Sequence, residues 1–187
     1  SSGAAPLDPD WKRRAESFYG VALQNGYGMT ETSSGACATK NPLPGDPDIS
    51  VGPALPGVEV RIDESVAGGG AGIGEVLIRG GNIMLGYYQN PEETARVLDT
   101  EGWLRSGDLG RLDDKGFLHI EGRSKELIIH GGFNVFPPEV EAALNAHPQV
   151  VQSAVVGRRN KSDEDVLAFV QVSGADRPEV SELMQFV

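Results

Sequence analysis

Four stretches of the chain hold residue types and spacings that could do chemistry. In NGYGMTET (25–32), Gly26 and Gly28 bracket an aromatic, Tyr27, and a hydroxyl and a carboxylate follow at Thr30 and Glu31. Glycines let backbone come close to a ligand, and a flat ring offers a stacking face. An aromatic beside such a pair suits a nucleotide bound with Mg²⁺, an ion that takes one or two carboxylates together with phosphate oxygens. The same spacing suits a capped turn in which Thr30 or Thr32 bonds to local backbone. Spacing alone leaves both readings open.

The second stretch is GWLRSGDLGRLD (102–113), where Asp108 stands between a glycine and the next strand, an exposed place for a carboxylate. A carboxylate there could accept from both hydroxyls of a ribose, and Ser-Gly-Asp is equally a turn composition. The third, GRSKELIIHGGFNVFPPEVE (122–141), sets Arg123 and Lys125 at a change of character in the chain. The planar fork of Arg123 could bridge ribose and phosphate. Gly131 and Gly132 could form a surface narrow enough for a thin, extended ligand, or simply a hairpin turn. The fourth, GGGAGIGE (68–75), has the G-x-G spacing of a phosphate loop but runs from strand to strand without a lysine. A phosphate loop runs from strand into helix, so this stretch is expected to be a flexible connection. His119, His130 and His147 show no metal-ligand spacing, and no G-x-S-x-G anchors a hydrolase triad.

These stretches need elements to position them. Asp8-Pro9 predicts a capped helix with Trp11, Ala15 and Phe18 on one buried face, ended by Gly20, and residues 21–25 predict a short strand. A helix feeding a strand is the grammar of an α/β layer, and NGYGMTET leaves that strand at the edge where such sheets bind ligands. Residues 51–122 turn β-rich. VEVRID (58–63) alternates with period two, EVLIRG (75–80) answers it, and GRLDDKGFLHIEG (110–122) is a hairpin about Asp-Lys-Gly. One helix interrupts, capped by Asn90 and opened by Pro91. This middle is expected to be a small β-barrel or curled sheet. Beyond it come a hairpin over 125–136, a helix over 137–147, strands over 150–157 and 166–172, and a last helix from Pro178 with Val180, Leu183, Met184 and Val187 on one stripe. A helix ending on an apolar stripe without a polar cap predicts a piece of a longer protein, and Ser-Ser-Gly at the start resembles the interior of a strand-to-helix turn.

Composition narrows the function classes. The 187 residues carry 16 basic and 27 acidic side chains, a formal charge of −11, with no basic run longer than Lys-Arg-Arg at 12–14. Such a chain is not expected to bind nucleic acid or an anionic membrane, although it can take an anionic small molecule together with a metal ion. No apolar run has membrane-spanning length, and the single Cys37 suits a reducing, cytoplasmic setting.

Taken in order, GYGMTET, GEVLIRGGNIMLGYY, WLRSGDLGRLD and GRSKELIIHGGFNVFPPEVE closely resemble the adenylate-forming acyl-CoA synthetase family, which includes firefly luciferase and peptide-synthetase adenylation domains. The resemblance covers nearly the whole chain. It implies a fold of mixed α/β and α+β class: residues 1–124 as the end of a large N-terminal AMP-binding domain, an α/β layer plus a small β-barrel, and residues 125–187 as an incomplete, mobile α+β C-terminal domain. It implies activation of a carboxylic acid with Mg²⁺ and ATP to an acyl-adenylate, release of pyrophosphate, rotation of the small domain, and transfer of the acyl group to CoA. By the same resemblance Tyr27 flanks adenine, with Gly26 and Gly28 backbone beside it. Thr30 meets phosphate and Glu31 holds Mg²⁺. Asp108 binds the ribose with help from Arg123, Lys125 stands at the hinge, and Gly131-Gly132 lines the pantetheine passage.

The family's lysine-ended phosphate loop and its C-terminal lysine are absent from these 187 residues. The expectation is therefore an inactive fragment of an acyl-CoA ligase for a small or medium carboxylic acid. Two alternatives stand beside it: an adenylation domain that loads an amino or aryl acid onto a carrier protein, and a non-catalytic β-rich binding domain. Oligomeric state is not legible in the sequence.

Overall fold

Asp8 caps the first helix, α1 (Pro9–Tyr19), by accepting the Trp11 amide proton, and Gly20 ends it in the left-handed region that glycine tolerates best. In the computed structural model, which describes residues 1–3, 7–160, 163–173 and 177–187, the buried face of α1 is polar. Lys12 and Glu16 are 2% and 3% exposed, whereas Trp11 and Phe18, expected inside, are 66% and 82% exposed. The neighbouring surface explains the reversal. Segment 45–48 presents backbone groups, and Lys12 Nζ donates to the carbonyls of Asp46 and Asp48 at 2.5 and 2.7 Å. Glu16 accepts from the amides of Gly45 and Leu23, both at 2.8 Å. A helix that meets backbone rather than side chains must bring its own donors and acceptors.

The strand expected over 21–25 is reduced to a single parallel bridge between Asn25 and Ser2. The paired strands begin one residue later, with β1 (Gly26–Tyr27) against β2 (Cys37–Ala38). Residues 51–55 carry the ladder onward. Leu55 donates to Ala36 and Ala38 to Pro53 on one side; on the other, the Val51 amide donates to the Leu118 carbonyl and the Leu118 amide to the Gly52 carbonyl.

Leu118 opens β6 (Leu118–Arg123), the edge of a four-stranded sheet in the order β3-β4-β5-β6, with β3 at Val58–Asp63, β4 at Gly74–Gly80 and β5 at Leu104–Leu112. β3 and β4 pair antiparallel, so the glycine-rich stretch 68–75 joins strand to strand. The described strands do not close into a barrel. Val76 and Ile78 face a core with Ala36, Cys37, Val51 and Leu118, and burial pushes the Cys37 thiol up to about 12. The opposite face is covered by Trp103, whose ring lies under the guanidinium groups of Arg61 and Arg79 at 4.1 and 4.5 Å. The interrupting helix, α2 (Pro91–Val97), is capped as expected by Asn90, which accepts from the Glu93 amide.

The chain divides into two compact units, Ser1–Ile120 and Glu121–Val187, with the division inside β6. In the second unit β7 (Ile128–His130) and β8 (Phe133–Val135) form the expected hairpin. Gly131 and Gly132 both have positive φ, 57° and 82°, as a two-residue type I′ turn requires. Helix α3 (Pro137–Asn145) packs on the antiparallel pair β9 (Val150–Asn160) and β10 (Asp163–Val172) through Leu144, Val155 and Ile128. The last helix, α4 (Val180–Phe186), adds Leu183 to that cluster and sets Phe186 edge-on to His147. Val180, Met184 and Val187 are exposed rather than buried with it.

The Lys12–Glu16 face gives a pH test. Hydrogen bonds from the Gly45 and Leu23 amides hold the Glu16 carboxyl below its ordinary value of 4.5. Its stabilisation is therefore complete above that value and lost as pH falls through the lowered one. Thermal unfolding followed from pH 7 to pH 3 should fall more steeply for the wild type than for Glu16→Gln. Lys12→Met, which strands the two carbonyls, should cost about 1–3 kcal/mol at pH 7.

Candidate nucleotide site

The Tyr27 hydroxyl donates to Asp108 Oδ2 at 2.6 Å across 81 residues of sequence. Asp108 is 4% exposed and lies inside β5, not in an exposed turn ahead of it. The Ser-Gly-Asp composition misled because β5 bends at Gly107, and the Ser106 hydroxyl accepts the Asp108 amide proton within the strand. Burial first, and the Asp108 charge second, push the Tyr27 phenol well above its ordinary range, so it remains a donor at any physiological pH.

Asn25 seats Tyr27. It is buried, its Nδ2 donates to the Ser50 carbonyl at 3.0 Å, and its amide donates to Thr39 Oγ1 at 2.8 Å. Downstream, residues Thr30–Thr32 form one turn of 3₁₀ helix. The two threonines, indistinguishable in sequence, separate here. Thr32 is fully buried, and its hydroxyl accepts from the Met29 amide at 2.9 Å, so it is the capping residue. Thr30 is exposed, and its hydroxyl has no partner among the described residues. Glu31 Oε1 accepts from the Tyr87 hydroxyl at 2.8 Å, which raises the Tyr87 phenol's pKa, while Oε2 has no partner among the described residues.

Residues 82–87 hold this turn from outside. Asn82 Nδ2 donates to the carbonyls of Gly35 and Thr32 at 2.7 and 3.3 Å, and the Met84 amide donates to the Glu31 carbonyl at 2.8 Å. Sequence reasoning quoted GNIMLGYY as a motif without giving Asn82 or Tyr87 a role. Their partners lie 47 and 56 residues away, and no spacing rule reaches that far.

The two glycines also separate. A Cβ on Gly28 would come within 2.3 Å of the Ser34 carbonyl oxygen and 2.8 Å of Gly35 Cα, so its missing side chain serves internal packing rather than the approach of a ligand. Gly26 has ordinary room, its nearest atom the Cys37 carbonyl oxygen at 3.4 Å.

The structure thus brings Tyr27 and Asp108 into contact, with Gly26, Gly28, Thr30 and Glu31 on the same short segment as Tyr27. Arg123, Lys125, Gly131 and Gly132 belong to the second unit. Arg123 ends β6, and Lys125 sits exposed in a 3₁₀ turn, Ser124–Glu126. The Gly131 amide is engaged by the Asp163 carboxylate at 3.0 and 3.1 Å, and the Ile129 amide by Glu164 at 2.9 Å, which ties the hairpin to β10. No group of three His, Cys, Asp or Glu able to hold a metal occurs among the described residues.

Residues 1–88 match the family of AMP-binding enzymes, and residues 139–187 match the AMP-binding enzyme C-terminal domain. The chain belongs to the AMP-binding enzymes. Over 136 residues it is 43% identical to the 3-[(3aS,4S,7aS)-7a-methyl-1,5-dioxo-octahydro-1H-inden-4-yl]propanoyl:CoA ligase of Rhodococcus jostii (strain RHA1), a match covering 73% of this chain and 25% of that protein. Over 193 residues it is 37% identical to the long-chain-fatty-acid–CoA ligase of Bacillus subtilis (strain 168), covering 99% and 33%. Among solved structures, ATP-bound MatB from Rhodopseudomonas palustris superposes with a TM-score of 0.87 at 36% identity, covering 99% of this chain and 37% of that one. This AMP-binding chain spans a quarter to about a third of the length of the curated relatives it matches.

Within this family member the glycines give a direct test. Gly28→Ala should lower stability by about 1–3 kcal/mol, through a clash that backbone alone must relieve. Gly26→Ala should stay within about 0.5 kcal/mol of the wild type in chemical denaturation. A tolerated Gly28→Ala would return that glycine to the ligand.

Proposed function

We propose that this chain forms the nucleotide-binding part of an ATP-dependent acyl-CoA ligase. The observation that carries the reading is the Tyr27–Asp108 hydrogen bond, which joins a buried carboxylate to the aromatic of a segment that also carries the Thr30 hydroxyl and Glu31 Oε2, neither of which has a partner among the described residues. The names of the two relatives, both CoA ligases, favour CoA over a carrier protein as the acceptor. The parent reaction has two steps: a carboxylate oxygen attacks the ATP α-phosphorus and expels pyrophosphate, and the thiol of CoA then displaces AMP from the acyl carbon.

In this reading the Tyr27 ring flanks adenine, and Asp108, held by the Tyr27 hydroxyl, accepts from the ribose with Arg123 assisting. Thr30 donates to a phosphate oxygen. Glu31 fits a Mg²⁺ ion bound mainly by phosphates and water, because one carboxylate suffices and Oε2 has no partner among the described residues. That ion, when bound, offsets the repulsion between phosphate and the attacking carboxylate. In the second unit Lys125 is the hinge and Gly131-Gly132 lines the passage for pantetheine, at a hairpin whose Gly131 amide is already engaged by Asp163. The cytoplasm is the compartment that suits the single, buried Cys37.

Asp108→Asn keeps the shape and removes the charge. In the intact ligase it should weaken ATP binding about tenfold or more, as loss of hydrogen bonds to a charged group does. Acid-dependent ATP–pyrophosphate exchange should fall with it, and unchanged nucleotide affinity would favour a non-catalytic binding domain. The 187-residue chain alone should show no exchange. Lys125→Pro should impair adenylation and thioester formation unequally when each half-reaction is timed separately. Equal losses would remove the hinge role from this position.

A further inference from the structure

Three carboxylates of the first unit are held by arginine. Glu75 and Asp63 accept from Arg105 at 2.6 and 3.3 Å, and Glu59 accepts from Arg79 at 2.9 and 2.7 Å. Glu31 is held differently, by the phenol of Tyr87, and makes no ion pair among the described residues. A phenol fixes a carboxylate without cancelling its charge.

Tyr87 is itself fixed. Its amide donates to Thr94 Oγ1 at 2.9 Å, and that hydroxyl donates to the Asn90 carbonyl at 2.9 Å inside the capped first turn of α2. Thr94 can come this close because residue 86 is glycine: a Cβ there would stand 2.9 Å from Thr94 Cγ2 and 3.0 Å from its Oγ1. At the other end, the Met84 amide holds the Glu31 carbonyl. Helix α2 thereby sets the phenol, and the same segment sets the backbone of the residue that the phenol holds.

We propose that Tyr87 is the positioning residue for Glu31: anchored on α2 through Thr94, it holds Oε1 so that Oε2 is offered to the divalent cation of a metal–nucleotide complex. The inference rests on the metal role given to Glu31 above, and it assigns α2 a purpose in the site that its exposed surface does not suggest.

The test is Mn²⁺ binding to the intact protein saturated with a non-hydrolysable ATP analogue, read by electron paramagnetic resonance and independent of turnover. Tyr87→Phe, which keeps the ring, should weaken Mn²⁺ about 3–10-fold, the range expected for loss of one hydrogen bond to a charged group near the surface. Affinity for the analogue in excess chelator should stay unchanged, a split that a general loss of structure would not produce. Thr94→Val, one step further back, should weaken Mn²⁺ by a smaller factor, and Glu31→Gln by a larger one than either. If Glu31→Gln loosens the metal while Tyr87→Phe and Thr94→Val leave it unchanged, the positioning role is overturned. If Glu31→Gln itself leaves Mn²⁺ binding unchanged, the metal role of Glu31 falls, and this inference falls with it.

Discussion

The bond from the Tyr27 hydroxyl to Asp108 is the constraint on which the first unit is organised. It joins β1 to the middle of β5 across 81 residues at 2.6 Å, and it lets a carboxylate sit inside a strand at 4% exposure. An unpaired buried carboxylate would cost several kcal/mol, on the order of the whole stability of a small domain. The loop supplies one donor to the acid that the strand holds. The loop in turn keeps one conformation because Asn25, Thr32 and Asn82 use their side chains on backbone rather than on ligand. A glycine-rich stretch that looks loose in sequence is held at both ends by buried polar groups.

What was legible in the sequence follows the range of the interactions. Local ones were readable: the Asp8 and Asn90 caps and the Gly131-Gly132 turn depend on neighbours a few residues away, and β3 pairs with β4, the next strand in the chain. The order of the motifs also carried the family, since each contributes a part of one site. The errors fall where distant backbone decides. Hydrophobic periodicity put Trp11 and Phe18 inside, but the partner of α1 is a row of carbonyls and amides, so Lys12 and Glu16 take that face. Asp108 looked like a turn residue because Tyr27, whose hydroxyl bonds it in the interior, lies far off in the chain.

Glycine was the hardest residue to read because its uses are physically distinct. Gly28 is needed for space, against the backbone of Ser34 and Gly35, and Gly86 for space, against Thr94. Gly131 and Gly132 are needed for conformation, with nothing near enough for a side chain to meet. Sequence sees one residue type in all four places. Only the local surroundings tell a glycine that admits a ligand from one that admits the protein itself, and Gly28 belongs to the second kind.

Charge sets the last constraint. A chain with a formal charge of −11 is a poor host for a polyanion unless cations come with the ligand. Its structural carboxylates can be neutralised in place, as Glu59 and Glu75 are by Arg79 and Arg105, because nothing further is asked of them. A carboxylate meant to attract a cation cannot be treated in that way. An arginine beside Glu31 would hold it as firmly and leave little field for a metal, while open water would leave it free to turn. A phenol on an anchored backbone does what neither can: it restricts the rotamer, adds no charge, and leaves one oxygen without a partner among the described residues. Tyrosine in place of arginine is what sets Glu31 apart from Glu59 and Glu75, and it sets apart Asp108, the other carboxylate proposed for the nucleotide, in the same way.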